Sequence, residues 1–177
     1  MRIAKSIAAC LLPLVIAITP AKADAGRDLL DDMVGNWEGA GKLTYTKDWT
    51  FDFRCKIEGR PGVVETQVDL LGKCWAGPIW SSMGAALRYN PKTRSYVGKF
   101  RDGTDTFVID IKGRHENRAL DLDLRQGKQR GAMAVAFRNH DSIDLTIAIV
   151  HPTTKARRQV VGLSLERSNS RMGALEK

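Results

Sequence analysis

A period of two governs this chain from Trp37 to Arg167. Apolar and polar side chains alternate along short runs, and clusters of Gly, Pro, Asn, Asp and Lys interrupt them at the spacing expected of an all-β fold. Ten strands are predicted, near 37–46, 50–59, 62–71, 83–90, 94–101, 104–112, 117–126, 130–139, 142–150 and 157–167, after a short helix from Arg27 to Met33. The connectors carry turn chemistry: Gly59-Arg60-Pro61-Gly62, Asn90-Pro91-Lys92-Thr93, Asp102-Gly103, Gln126-Gly127-Lys128, Asn139-His140-Asp141 and His151-Pro152-Thr153. Links this short make each strand antiparallel to the one before it. A meander of ten strands removes its exposed edges best by closing, so the expected fold is an all-β antiparallel up-and-down barrel; a two-sheet sandwich is the alternative.

Successive side chains of a strand point to opposite faces, so parity sorts them. One face carries Phe51, Phe53, Cys55, Ile57, Val64, Val68, Leu70, Leu87, Tyr89, Tyr96 and Phe100 in the first half of the meander. It continues through Phe107, Ile109, Ile111, Leu120, Leu122, Leu124, Met133, Val135, Phe137, Ile143, Leu145, Ile147, Ile149, Val161, Leu163 and Leu165. The opposite face carries Asp52, Arg54, Lys56, Glu58, Asp110, Asp121, Asp123, Arg125, Asp144 and Glu166. The interior is therefore expected to be apolar, which disfavours a catalytic centre inside it. No H-E-x-x-H, G-x-S-x-G or phosphate-cradling glycine loop occurs, and neither catalytic nor metal-binding residues are assigned.

The N-terminus reads as a secretory signal. Arg2 and Lys5 precede an apolar run from Ser6 to about Thr19, and Ala21-Lys22-Ala23 or Ala23-Asp24-Ala25 offers the small-x-small cleavage pattern. The run is shorter than a membrane span and Pro13 interrupts it. The expected organisation is a signal peptide at 1–23, with cleavage possible to 25, a barrel domain at 26–167 and a disordered tail at 168–177. Removing residues 1–23 takes away three cations, Arg2, Lys5 and Lys22, and no acid, so the net charge falls from +8 to +5. A periplasmic or secreted chain of mixed charge with no further apolar span points away from nucleic acid and from a transmembrane segment in the mature chain. Cys10 leaves with the leader, and Cys55 and Cys74 remain as an even pair in an oxidising compartment, which predicts a disulfide.

Met33-Val34-Gly35-Asn36-Trp37-Glu38-Gly39-Ala40-Gly41 follows the short helix and opens the first strand. It resembles the G-x-W motif of lipocalins and the longer G-x-W-x-G-x-G of nitrobindin-like and fatty-acid-binding-like calycins. Lipocalins also stack an arginine from the last strand on that tryptophan, and Arg167 stands at that place. The resemblance implies a calycin-like barrel with Trp37 and Arg167 as a structural cation–π plug at one end. The glycines that share Trp37's parity, Gly39 and Gly41, leave interior space for a ligand or for a neighbouring ring. A nitrobindin-like haem role would need a histidine at the pocket, for which His151 is the candidate, with a turn residue before Pro152 as the plainer reading. Otherwise no cofactor is expected.

Alternate connectors of a meander share an end. The end opposite the helix collects Lys47, Lys73, Arg101, Lys128, Arg130, Lys155, Arg157 and Arg158, together with an expected long loop at 72–82 that holds Trp75 and Trp80. Two arrangements fit. Either a basic, tryptophan-bearing mouth stands over an apolar cavity that takes a small hydrophobic or anionic amphiphilic molecule, or the tryptophans form a lid on a filled core in a structural or interaction module of the envelope. For the first, the expected ligand-binding residues are Trp75, Trp80, Tyr89, Tyr96, Phe100, Arg101, Lys128 and Arg130. With a turn at 59–62, Cys55 would face Thr66, and Cys74 would reach it only if the chain after Gly72 folded back and pinned the loop across the mouth.

Overall fold

The computed structural model describes residues 24–46, 48–103 and 107–168. The expected leader, the expected tail beyond Ser168, Lys47 and residues 104–106 lie outside them. Helix α1 (Ala25–Met33) leads into ten strands: β1 (Gly35–Thr44), β2 (Thr50–Pro61), β3 (Gln67–Ala76), β4 (Ile79–Asn90), β5 (Ser95–Asp102), β6 (Val108–Glu116), β7 (Ala119–Gln126), β8 (Gln129–Phe137), β9 (Ser142–Val150) and β10 (Arg157–Arg167). Each strand pairs with the next, and β1 pairs with β10, so the sheet is a closed antiparallel barrel and not a sandwich. Closure leaves no unpaired edge.

The alternation of the sequence is the alternation of the wall. Val68, Leu87, Tyr89, Tyr96, Ile111, Leu120, Leu122, Val135, Ile143, Leu163 and Leu165 point inward and are buried. Charges on the outer face pair across neighbouring strands: Lys42 with Asp52, Lys56 with Glu38, Lys99 with Asp110, and Arg138 with both Asp144 and Glu166, at 3.0–3.3 Å.

The second and third connectors differ from expectation. Strand β2 continues through Arg60 and Pro61, and the turn falls at 62–66, where Gly62 N–H donates to Gln67 O and Gln67 N–H to Val64 O. A proline is tolerated at the last position of a strand, so Pro61 ends β2 without turning it. The displacement moves the register by an even number of residues, so Val68 and Leu70 keep their inward side while Val64 lies exposed in the connector. It also puts Cys55 directly opposite Cys74, and the two are bridged as a cross-strand pair within the wall. Among the described residues no segment folds back across the mouth.

The expected loop at 72–82 is instead a continuation of β3 and β4. Trp75 pairs with Trp80 and Ala76 with Ile79, leaving Gly77-Pro78 as a two-residue link. Gly77 has φ +58°, which glycine adopts without the strain a side chain would bring, and the ring of Pro78 fixes its own φ at the second position of the link.

Candidate functional site

The helix end of the barrel is sealed. Asp24 caps α1 through its carboxylate, which accepts from Gly26 N–H at 3.1 Å and from the Tyr89 hydroxyl at 2.9 Å. Leu29, Leu30 and Met33 form the buried stripe of the helix, and Gly26, lacking a Cβ, lets the Tyr89 ring lie against it. Trp37 donates its indole N–H to Met33 O at 2.9 Å. The Arg167 guanidinium stacks 4.3 Å from the Trp37 ring centroid and donates to Val34 O, Asp32 O and His140 O at 2.6–3.0 Å. One cation thus satisfies carbonyls at the C-terminus of α1, where a helix has acceptors without intrahelical partners.

Tyr89 and Tyr96 belong to this seal and not to a ligand pocket. Their inward parity was legible, but β4 ends and β5 begins at the helix end, so both rings sit beneath α1. Tyr96 donates to Gly26 O at 2.7 Å, and the rings lie 4.9 Å apart, centroid to centroid. Burial pushes the Tyr96 hydroxyl well above the usual tyrosine range; burial, with the Asp24 hydrogen bond second, raises Tyr89. His115 lies in β6 with its ring against both tyrosines.

From this seal to the opposite end runs a cavity of about 450 Å³. Phe53, Ile57, Leu70, Met83, Phe100 and Leu163 are among its walls, Trp37 and Met33 floor it, and Ile79, Trp75 and Trp80 border its mouth. Ser81 is the only hydroxyl in the lining among the described residues, and its Oγ donates to Ser82 O. Gly39 and Gly41 do not open this space. A Cβ at Gly39 would strike the β10 backbone at Ser164, and one at Gly41 would strike Gly162 and the Phe53 ring, so these glycines serve strand coiling and ring packing.

Trp75 and Trp80 are not folded down as a lid. Cys74, Ala76, Ile79 and Ser81 take the inward positions of the hairpin, so parity turns both indoles to its outer side. Lys73 reaches over them, its Nζ 3.8 Å from the Trp80 ring centroid and 5.7 Å from that of Trp75. Next to this hairpin, the β1–β2 tip exposes Tyr45 and Trp49, packed edge to face at 5.7 Å. Those two residues were not singled out from the sequence, although aromatic residues flanking a polar turn were the available signal.

The other half of the rim is cationic. Lys112, Arg125, Lys128, Arg130, Lys155 and Arg157 surround a groove on the outer wall at the tips of β7–β8 and β9–β10, together with Asp110 and Asp123. Lys128 and Arg130 therefore stand beside the mouth and outside the cavity. Arg101 is exposed on β5, near the mouth. The His151 ring accepts from Thr153 and Thr154 N–H at 3.3 and 3.2 Å, which holds its own turn, and it is absent from the cavity lining. The expected histidine is therefore not at the cavity, whose lining holds no imidazole among the described residues.

No protein-family model matches the chain, and no curated protein is similar to it in sequence. Among solved structures, Rv2717c from M. tuberculosis matches with a TM-score of 0.62 at 12% identity, over 82% of this chain and 98% of that one. The S-type phycobiliprotein lyase CPES from Guillardia theta matches with a TM-score of 0.59 at 12% identity, over 81% of this chain and 92% of that one. At this identity the likeness concerns the fold alone, a closed antiparallel barrel of ten strands.

Proposed function

We propose that the chain is an exported, non-enzymatic barrel, periplasmic or secreted, that binds a small hydrophobic or anionic amphiphilic molecule. The observation that carries the reading is the apolar cavity of about 450 Å³ opening at a rim of tryptophans and cations. That volume lies within the range of small-molecule sites, and burying an alkyl tail there would release roughly 0.8 kcal/mol per CH₂. A head group at the mouth would meet Lys73, Lys128 and Arg130, with Trp75 and Trp80 bordering the mouth from its outer side and Phe100 on the wall inside. The lining offers no carboxylate, amine or imidazole among the described residues, which favours binding over catalysis. The Cys55–Cys74 bridge supports export, since disulfides persist in oxidising compartments. One structural neighbour is named as a lyase, so barrels of this shape also serve chemistry.

The test is native purification followed by mass spectrometry of retained small molecules, with titration of the stripped protein by fatty acids and phospholipids. Binding is expected to quench or shift tryptophan emission and raise the melting temperature. A stripped protein that responds to none of these molecules, purified with nothing retained, would overturn the reading.

A further inference from the structure

Around the barrel, β1 to β4 lie side by side, and so do β7 to β10. The rim therefore has two arcs. Ten large hydrophobic side chains are exposed among the described residues, and six of them gather at the mouth end: Tyr45, Trp49, Ile79, Trp80, Phe107 and Ile149. Exposure there is high, 72% for Ile79 and 60% for Trp49, so these are not edges of core residues.

The cations beside this arc are available to a partner: the side chains of Lys128, Arg130, Arg157 and Arg158 make no ion pair or hydrogen bond within the described residues, and Lys155 Nζ is held only by its own turn, at Pro152 O, 2.7 Å away. Asp110 and Asp123 lie in the same groove, and Asp110 is engaged by Lys99. A ring of tryptophan, tyrosine and isoleucine beside unpaired cations matches a headgroup layer, where indoles sit among headgroups and lysine or arginine meets phosphate.

We propose that the mouth docks on a bilayer rich in anionic phospholipid, with Tyr45, Trp49, Ile79 and Trp80 entering the interface and Lys128, Arg130, Lys155 and Arg157 against the phosphates. Docking requires the rim alone, so it goes beyond the cavity reading and is separable from it. Where both hold, an apolar tail passes between bilayer and barrel without crossing water.

The chain from Asp24 onward suits the test, because the closed sheet and the whole core lie within it and the apolar leader would partition by itself. It is sedimented with vesicles of phosphatidylcholine alone or mixed with phosphatidylglycerol, at low and high salt. Expected are partitioning to the mixed vesicles, a blue shift of tryptophan emission, and loss of both at high salt. The K128E/R130E/K155E/R157E variant should partition at least several hundredfold less, roughly the product of about fivefold for each of the four basic groups lost at an anionic surface. W49A/W80A should lose most of the blue shift that the parent shows at low salt. Melting of both variants near the parent temperature reports that the barrel is intact, and the salt titration of the parent tests the charge contribution without any substitution. No sedimentation, equal sedimentation with both lipids, or parental partitioning by the charge-reversed variant overturns docking. If monomeric short-chain phosphatidylglycerol binds while vesicles carry no protein down, the cavity reading stands and docking falls.

Discussion

The two ends of the barrel solve opposite problems with similar residues. At the helix end, Trp37 is buried, its indole N–H bonded to Met33 O, its face covered by Arg167, and Arg167's donors occupied by backbone carbonyls. At the mouth, Trp80 is 57% exposed, and its only cation, Lys73, is held to no carboxylate among the described residues. The same tryptophan–cation pairing is thus a structural element in one place and an open surface in the other. Burial and polar satisfaction set the difference: a polar group without a partner is costly inside and nearly free in water.

The largest effect expected from breaking this contrast is at the sealed end. Trp37→Ala should lower stability by about 3–5 kcal/mol, because a buried ring is lost and the Arg167 stack with it. Urea unfolding followed by circular dichroism measures it, and a loss below that of Trp80→Ala would invert the comparison. The disulfide comes next. It joins Cys55 and Cys74 across adjacent strands at a sequence separation of 19, and its removal in a C55A/C74A variant should cost about 3 kcal/mol. Alkylation of the unfolded, unreduced protein should find both thiols blocked, and two reactive thiols would show that the bridge does not form.

Asp24 is a smaller test of the same end. Its carboxylate serves both the first turn of α1 and the Tyr89 hydroxyl, so Asp24→Ala should cost about 1 kcal/mol, as a lost N-cap usually does. Asp24 also lies between the two candidate cleavage points. Processing after Ala23 keeps this cap and processing after Ala25 removes it, so an intact mass beginning at Asp24 is expected of the mature chain.

What the sequence disclosed follows from which forces are local. Alternation is local, and it revealed ten strands, their faces and the sorting of loops to two ends. The pairing of Trp37 with Arg167 was legible because an even-stranded meander brings its first and last strands together. Register was not local. A proline and two glycines at 59–62 look like a turn, but the choice between turning there and turning at 62–66 depends on which cross-strand partners the whole hairpin gains, Cys55 with Cys74 among them. From that one displacement came the mistaken loop at 72–82 and the mistaken lid. The tyrosines were misplaced for a related reason: parity says that a side chain points inward but not how far along the axis it lies, and Tyr89 and Tyr96 fall under the helix. Whether an apolar interior is filled depends on how several rings pack together, which no pattern of one strand reports.

The smallest effect on stability is expected at Trp80, and it bears most directly on the contrast between the ends. Its ring is more than half exposed, borders the cavity mouth and stacks under Lys73 Nζ at 3.8 Å. An exposed cation–π contact is worth about 0.5–1 kcal/mol, so Trp80→Ala should shift the unfolding midpoint by no more than that. A buried cap on a solid core would instead lose several kcal/mol. The same variant should weaken uptake of a fatty acid with little dependence on salt, because the lost contact is apolar. Lys128→Ala should leave stability and uptake nearly unchanged, since one exposed charge contributes ~0.2–1 kcal/mol and is screened. Measuring unfolding and uptake on these two variants together separates an open mouth from a lid: a large stability loss at Trp80 with no change in uptake would return the tryptophan to the core and close the cavity.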